Sequence, residues 1–385
     1  MEERLMPGNA ARKQIGWIDL LRVLACFWVV LAHCCDPFVS CFNTDRTAFV
    51  TGSLFESAMR PSVPLFAMMT GALLLPVRTG LTAFYRKRIG RIVWPLAFWS
   101  LVLPLLFFVY FTYVSPDTRN PIAALDEHQD FGVVLAKWVT WLLNFNFDTT
   151  PLWYLYMLIG MYLVMPLISP WLQQASKRDL QVVLGVWGLS LFVPCVKLFV
   201  PMLGYPGAEA HVDLWGACAW NEFGMFYYVS GFMGYMLLAH YMMRFPPQWS
   251  WKKMLGICIP LFAAGYALTA CGYLWVESLH PGNFAYLELV WYFSGINVLM
   301  MTFPVLAVVQ KLDVAARPWL TKLAAYSFGI FLCHFVFVYV SYDLLDISFL
   351  PDWARIVLMA FVTFGLSALV TWGMWQWKVT RRFVQ

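Results

Sequence analysis

The 385-residue chain is 61% apolar and 18% aromatic, and only 12% of its residues are charged, far below the roughly 25% of a soluble domain. A water-soluble core cannot absorb that much apolar surface, so a soluble globular enzyme is excluded. The net charge of +5 lies in separate short clusters rather than one basic face, which implies no nucleic-acid partner.

Repeated near-uncharged runs of about 20 residues match a ~30 Å hydrocarbon layer. Backbone polar groups in lipid must pair within their own segment, so these runs are helices and the fold class is all-α and polytopic. About ten spans are predicted: Gly16 to Cys35, Thr51 to Leu75, Arg91 to Val114, Leu152 to Leu172, Leu180 to Leu203, Phe223 to Met243, Met254 to Trp275, Tyr286 to Gln310, Leu323 to Leu345 and Trp353 to Trp377. A shorter stretch, Phe131 to Phe147, carries Lys137, Trp138 and Trp141 and reads as a helix in the interface, with an eleventh span as the alternative.

Ionisable groups inside spans are expensive, at least ~2.5 to 3.5 kcal/mol on insertion scales, and so mark function or pairing. The first span carries Asp19, Arg22 and His33. Arg22 and His33 are eleven residues apart, which puts them on one helix face roughly 16 Å apart, with Cys26 and Val30 between. Asp19 sits one turn before Arg22 and can pair with it. The alternative is that Arg22 and His33 merely snorkel to opposite interfaces. The second span carries Glu56 and Arg60, followed by Pro61-Ser62-Val63-Pro64, whose prolines kink the helix and can turn Arg60 toward a polar pocket or leave it at the interface. Arg86, Lys87, Arg88 and Arg91 form a basic loop before the third span, either topogenic charge or a grip on phosphates. Lys197, Glu222, Glu288 and His334 complete the set.

Lys and Arg gather on alternate loops, as the positive-inside rule requires of cytoplasmic segments. One set holds Arg4, Arg12 and Lys13; Arg78 to Arg91; Lys177 and Arg178; Arg244, Lys252 and Lys253; Lys311, Arg317 and Lys322; and Lys378, Arg381 and Arg382. The opposite set is acidic: Asp36 and Asp45; Asp117, Asp126, Glu127, Asp130 and Asp148; Glu209 and Asp213; Glu277; and Asp343, Asp346 and Asp352. Both termini are therefore expected in the cytoplasm, and no cleavable signal peptide is apparent. Residues 1–385 read as one membrane domain with no internal repeat. None of the nine cysteines forms a C-x-x-C pair, so no metal is expected; Cys41 and Cys218, both in predicted outer loops, leave a disulfide open. Oligomeric state is not legible.

Several fragments, in order, resemble the membrane-bound acyltransferase 3 family. They are Trp17-Ile18-Asp19-Leu20-Leu21-Arg22 running to His33, similar to the family's Arg-x10-His first helix; Val63-Pro64-Leu65-Phe66 with Thr70-Gly71; and the basic stretch ending at Arg91 with Pro95 following. Later come Leu152-Trp153-Tyr154-Leu155, Gly231-Phe232-Met233-Gly234-Tyr235, and Ser327-Phe328-Gly329-Ile330-Phe331-Leu332-Cys333-His334, similar to the family's late Ser-x-Gly-Ile-Tyr-Leu-x-His. Where many members have Ser-Gly this chain has Thr70-Gly71. Among members it is similar to the stand-alone surface-polysaccharide O-acetyltransferases, such as the enzyme that acetylates enterobacterial common antigen.

The resemblance implies a bacterial inner-membrane O-acyltransferase that takes an acyl group, usually acetyl, from cytoplasmic acetyl-CoA to a hydroxyl of a lipid-linked or periplasmic glycan. It implies His33 as catalytic base or acyl carrier, with Arg22 and Asp19 assisting, and Arg86, Lys87, Arg88 and Arg91 as the coenzyme A site. Arg60, Glu56, Glu222 and His334 are then acceptor-side candidates. Without the resemblance, a transporter with a polar pathway, or a scaffold whose charges fix packing, accounts for the same charged positions.

Overall fold

The structure is a computed structural model that describes residues 15–125, 130–140, 146–204, 214–218, 221–312, 314–347 and 349–385. Arg4, Arg12, Lys13, Asp126, Glu127, Glu209 and Asp213, used above to read the topology, lie outside the described residues, as does Trp141. The elements are helices: α1 (Gly16–Val39), α2 (Arg46–Met59), α3 (Ser62–Leu74), α4 (Leu81–Val109), α5 (Phe131–Val139), α6 (Trp153–Gln174), α7 (Lys177–Ser190) and α8 (Val193–Phe199). They continue as α9 (Phe232–Arg244), α10 (Trp251–Leu279), α11 (Phe284–Trp291), α12 (Ile296–Leu312), α13 (Pro318–Leu344), α14 (Asp352–Trp375) and α15 (Lys378–Arg381).

The chain is an all-helical polytopic membrane protein. Among the described residues eight stretches are long and apolar enough to cross a bilayer: Gly16–Val39, Leu81–Val114, Phe147–Gln174, Lys177–Phe199, Trp251–Leu279, Phe284–Leu312, Pro318–Leu344 and Asp352–Trp375. The other two predicted spans are present as shorter pieces. The stretch from Thr51 to Leu75 is two helices, α2 and α3, parted at Arg60 and Pro61. Pro61 and Pro64 cannot donate to the carbonyls four residues back, so the helix breaks there. Pro64 then falls in the first turn of α3, where its missing N–H has no intrahelical partner to lose. The stretch from Phe223 to Met243 has one 3₁₀ turn at Gly224–Phe226 and is α-helical only from Phe232, after Gly231 at φ 77°, a left-handed conformation that glycine takes readily.

Three boundaries move in ways that matter. Helix α1 runs past the predicted end at Cys35 to Val39, with Pro37 in its last turn, so Asp36 belongs to the helix and not to an outer loop. Helix α4 starts at Leu81, ten residues before the predicted start, and makes the expected basic loop a helical turn and a half. Charge ended the predicted span, because apolar runs report lipid exposure and not helix formation. The segment read as an interfacial helix is the nine-residue α5, capped by the Asp130 carboxylate accepting from Gly132 N–H and tied sideways by Trp138 Nε1–H donating to Leu101 O at 2.9 Å. Cys41 and Cys218 are unbonded.

Helix α13 is the axis of the bundle: 72% of its apolar window is buried, against 28% for the lipid-facing α10. It packs along α1 and α14, and α1 in turn packs on α2 and α3. The short α9 is held by α3, where Gly71 lies so close to the Met236 backbone that a Cβ would sit 2.3 Å from Met236 O. At one end of the bundle Arg91 Nε donates to Gln385 O at 3.1 Å and Arg244 Nη1 to Ala175 O at 2.9 Å. At the other end five cations meet carboxylates: Arg46 with Glu277, Arg60 with Glu56, Lys137 with Asp148, Lys197 with Glu222 and Arg355 with Asp346.

A methyl group at residue 71 must push α3 and α9 apart, and overpacking of this kind costs about 1–3 kcal/mol. Gly71→Ala is therefore expected to lower the thermal unfolding midpoint in detergent by several degrees, whereas Gly90→Ala, inside α4 where a Cβ meets nothing within 4 Å, does not lower it.

Candidate active site

Near the acidic end of α1, His33 Nδ1 lies 2.9 Å from Asp36 Oδ2, one turn further along the same helix. When the Asp36 carboxylate is ionised it can only accept, so Nδ1 then carries the proton and Nε2 is left with a lone pair. This is the orientation a general base requires, with the carboxylate holding the tautomer and the ring. Both side chains retain some exposure, 23% and 28%, so the pair can be reached.

A second histidine adjoins the first. The His334 ring, on α13, lies 5.2 Å from His33, and the Phe335 ring lies 5.3 Å from it on another side. His334 is fully buried, and its Nδ1 lies 2.6 Å from Phe331 O. A carbonyl can only accept, so this contact fixes the proton on Nδ1 and leaves a lone pair on Nε2, which meets no partner among the described residues.

Arg60 supports this region from the break between α2 and α3. Its Nη1 bonds Glu56 Oε1 at 3.2 Å, and its Nε and Nη2 donate to Trp291 O at 3.0 and 2.6 Å. That carbonyl is free because α11 ends at Trp291 and α12 begins only at Ile296, so a broken helix supplies the acceptor. The guanidinium also stacks over Phe293 at 4.3 Å, and Trp291 Nε1–H donates to Ser57 Oγ at 3.0 Å. Asp36, Glu56 and His33 all lie within electrostatic range of Arg60, and Glu288 lies within range of Asp36 and Glu56.

At the basic end a cavity of about 500 Å³ opens between α1, α3, α4, α6, α13 and α14. Arg22, Arg88 and Arg91 line it together with Thr70, Tyr162 and Ser327. Arg22 lies 3.9 Å from Asp19, which is anchored by Thr321 Oγ1–H at 2.7 Å, and Arg91 Nε donates to Gln385 O at the cavity wall. Guanidinium forks gathered in one cavity match phosphate geometry.

Most residues singled out from the sequence fall into one of these two regions. Arg22, Asp19, Arg88 and Arg91 lie at the cavity; His33, His334, Arg60 and Glu56 lie at the acidic end. Arg86 and Lys87 are exposed and do not line the cavity: Arg86 projects from the far side of α4, whereas Lys87 sits one turn before Arg91, on its flank. Glu222 pairs with Lys197 at 3.5 Å in an exposed position, within electrostatic range of Tyr292. Cys26 and Val30, between Arg22 and His33 on one face of α1, are fully buried, and Cys26 Sγ–H donates to Ser327 O of α13.

Asp36 is the residue that the sequence reading left out. It was placed in the acidic outer set because the first span was closed at Cys35; its i+3 spacing from His33 on a helix was the available signal. Tyr162 carried no sequence signal of its own beyond lying in the fourth span, and Tyr154 entered only through the Leu152-Trp153-Tyr154-Leu155 fragment.

No curated protein and no solved structure matches the chain. A family profile described as an acyltransferase domain matches residues 15–372, which takes in α1 through nearly all of α14 and with them both regions described above. The chain belongs to the acyltransferase 3 family of membrane proteins.

Proposed function

We propose that the protein is a bacterial inner-membrane O-acyltransferase that moves an acyl group, acetyl in the first instance, from cytoplasmic acyl-CoA to a hydroxyl of a lipid-linked or periplasmic glycan. The observation that carries this reading is the His33–Asp36 pair at one end of a bundle whose other end holds a cavity with three arginines.

In this reading the basic end faces the cytoplasm, in keeping with the positive-inside rule. Arg22, Arg88 and Arg91 hold the coenzyme A phosphates, and the pantetheine arm carries the thioester toward His33. Arg22 lies roughly 16 Å from His33 along α1, which favours phosphate binding over contact with the reacting carbonyl. At the acidic end His33 Nε2 takes the proton of the acceptor hydroxyl as its oxygen bonds to the thioester carbon. The tetrahedral intermediate then collapses, the carbon–sulfur bond breaks, and the thiolate leaves with the proton from His33. Asp36 holds the imidazole and offsets the charge it gains. Arg60, within electrostatic range of His33, is the nearest described guanidinium for the oxyanion or the acceptor, with Glu56 fixing its position.

Purified protein given acetyl-CoA and a crude lipid-linked glycan extract is expected to release free thiol. His33→Ala should abolish release, and Asp36→Asn should lower turnover by about a hundredfold or more, the scale of general acid–base contributions. Wild type that releases no thiol with any acyl-CoA and extract, or His33→Ala that matches it, contradicts the reading and makes transport the better one. The cavity assignment is checked by donor titration: Arg88→Ala and Arg91→Ala should each raise the KM for acyl-CoA about tenfold or more, the scale of one lost charge-assisted hydrogen bond. Arg86→Ala and Lys87→Ala should change it by no more than about twofold.

A further inference from the structure

Past α14 the backbone turns back on the bundle. Thr380 Oγ1–H donates to Met374 O at 2.6 Å, and after α15 Phe383 N–H donates to Thr380 O at 3.0 Å and Val384 N–H to Arg381 O at 3.2 Å. Residues 376–385 lie past the stretch that the family profile matches. Three anchors hold their far end. The Phe383 ring stacks on Phe98 of α4, with centroids 4.3 Å apart and planes 9° from parallel. Trp99 Nε1–H donates to Phe383 O at 2.9 Å. Val384 is fully buried beside Gly329 of α13, where a Cβ would lie 2.9 Å from Val384 Cβ, so the missing side chain at residue 329 is part of what admits the valine.

The anchors deliver Gln385 to the arginine-lined cavity. Its main-chain oxygen accepts from Arg91 Nε at 3.1 Å, and Gln385 and Arg91 both line the cavity. Trp375 lines it too, and Arg381 of α15 lies over that ring at 4.6 Å. A guanidinium carries five N–H donors in a planar fork, one on Nε and four on the two Nη groups. Among the described residues Arg91 makes no other hydrogen bond or ion pair, so the Gln385 oxygen takes the Nε–H and leaves both Nη groups for a ligand. An arginine held in this way has already lost rotamer freedom that binding would otherwise remove, which is the gain of preorganisation.

We propose that residues 383–385 are a positioning element of the donor site: docked by Phe383 and Val384, they hold Arg91 through its Nε and so present its two Nη groups to the coenzyme A phosphates. The proposal rests on the acyl-CoA reading of the cavity and goes beyond it by assigning the segment after α15 to donor binding. An opposite arrangement, in which the Gln385 oxygen competes with phosphate for Arg91, needs a segment that lifts away. A stacked ring, an indole hydrogen bond and a fully buried valine tie this one down.

The test measures KM for acetyl-CoA, with the glycan extract present, and Kd for coenzyme A. It compares wild type, Val384→Asn, Trp99→Phe, Arg88→Ala, Arg91→Ala and the double variants of Val384→Asn with each arginine change, all checked for unfolding temperature. Val384→Asn puts an amide into an apolar seat and undocks the segment. It is expected to raise KM and Kd about three- to tenfold, up to the scale of one lost charge-assisted hydrogen bond, with kcat within about twofold of wild type. Trp99→Phe, which removes one anchoring bond and keeps a ring, should move both constants the same way by less. With Arg91→Ala, adding Val384→Asn should change them by no more than about twofold, because the side chain it positions is gone; with Arg88→Ala it should keep its full effect. Folded Val384→Asn and Trp99→Phe proteins with unchanged or lower constants, or a Val384→Asn effect undiminished without Arg91, overturn the positioning role while leaving the transferase reading intact. Wild type that neither binds coenzyme A nor turns over acetyl-CoA overturns both.

Discussion

A charged or polar group placed among apolar helices must find a partner, and this requirement organises the bundle around α1. Helix α1 carries Asp19, Arg22, His33 and Asp36, and each is answered: Asp19 by Arg22 and Thr321, His33 by Asp36, and the His33 ring by His334 and Phe335. These contacts need α13 alongside α1 in one register, because Thr321 meets Asp19 at one end and His334 meets His33 at the other. The spacing of thirteen residues from Thr321 to His334 runs close to the fourteen from Asp19 to His33, which is what two helices of equal rise require when packed side by side.

The same requirement explains the helix breaks. An arginine at the Arg60 position needs several acceptors, and continuous helices have none to spare, since their carbonyls are bonded internally. The interruption between α11 and α12 exposes Trp291 O, and the interruption between α2 and α3 directs Arg60 toward it. Two broken helices thus satisfy one another through a side chain, and the result is a polar region at the acidic end walled by packed aromatic rings. The basic end is built differently: Arg22, Arg88 and Arg91 converge from α1 and α4 on a cavity that Phe66, Tyr154 and Phe331 also line.

Much of this was legible in the sequence. Runs of apolar residues located the membrane segments, and the eleven-residue spacing placed Arg22 and His33 at opposite ends of one helix. The prolines after Arg60 marked a real interruption, although periodicity could not say that it divides the helix in two or that α9 is short. Hydropathy has a blind spot at helix ends, where charged residues continue a helix beyond the apolar layer. It therefore hid Asp36 in a loop and gave four basic residues equal standing, when of the four only Arg88 and Arg91 line the cavity. The pairing of His33 with His334, and the meeting of Phe66, Tyr154 and Phe331, join residues far apart in the chain. Contacts of that range leave no trace in local spacing.

The account turns on a donor bound at the arginine-lined end and chemistry at the histidine end, so the most direct measurement is sidedness. Protein reconstituted in liposomes of one orientation, with an acceptor present, is given acyl-CoA on one face or the other and thiol release is followed. Release only when acyl-CoA is supplied at the face bearing Arg88 and Arg91 is the predicted result; release from the Asp36 face alone, or equally from both, contradicts it.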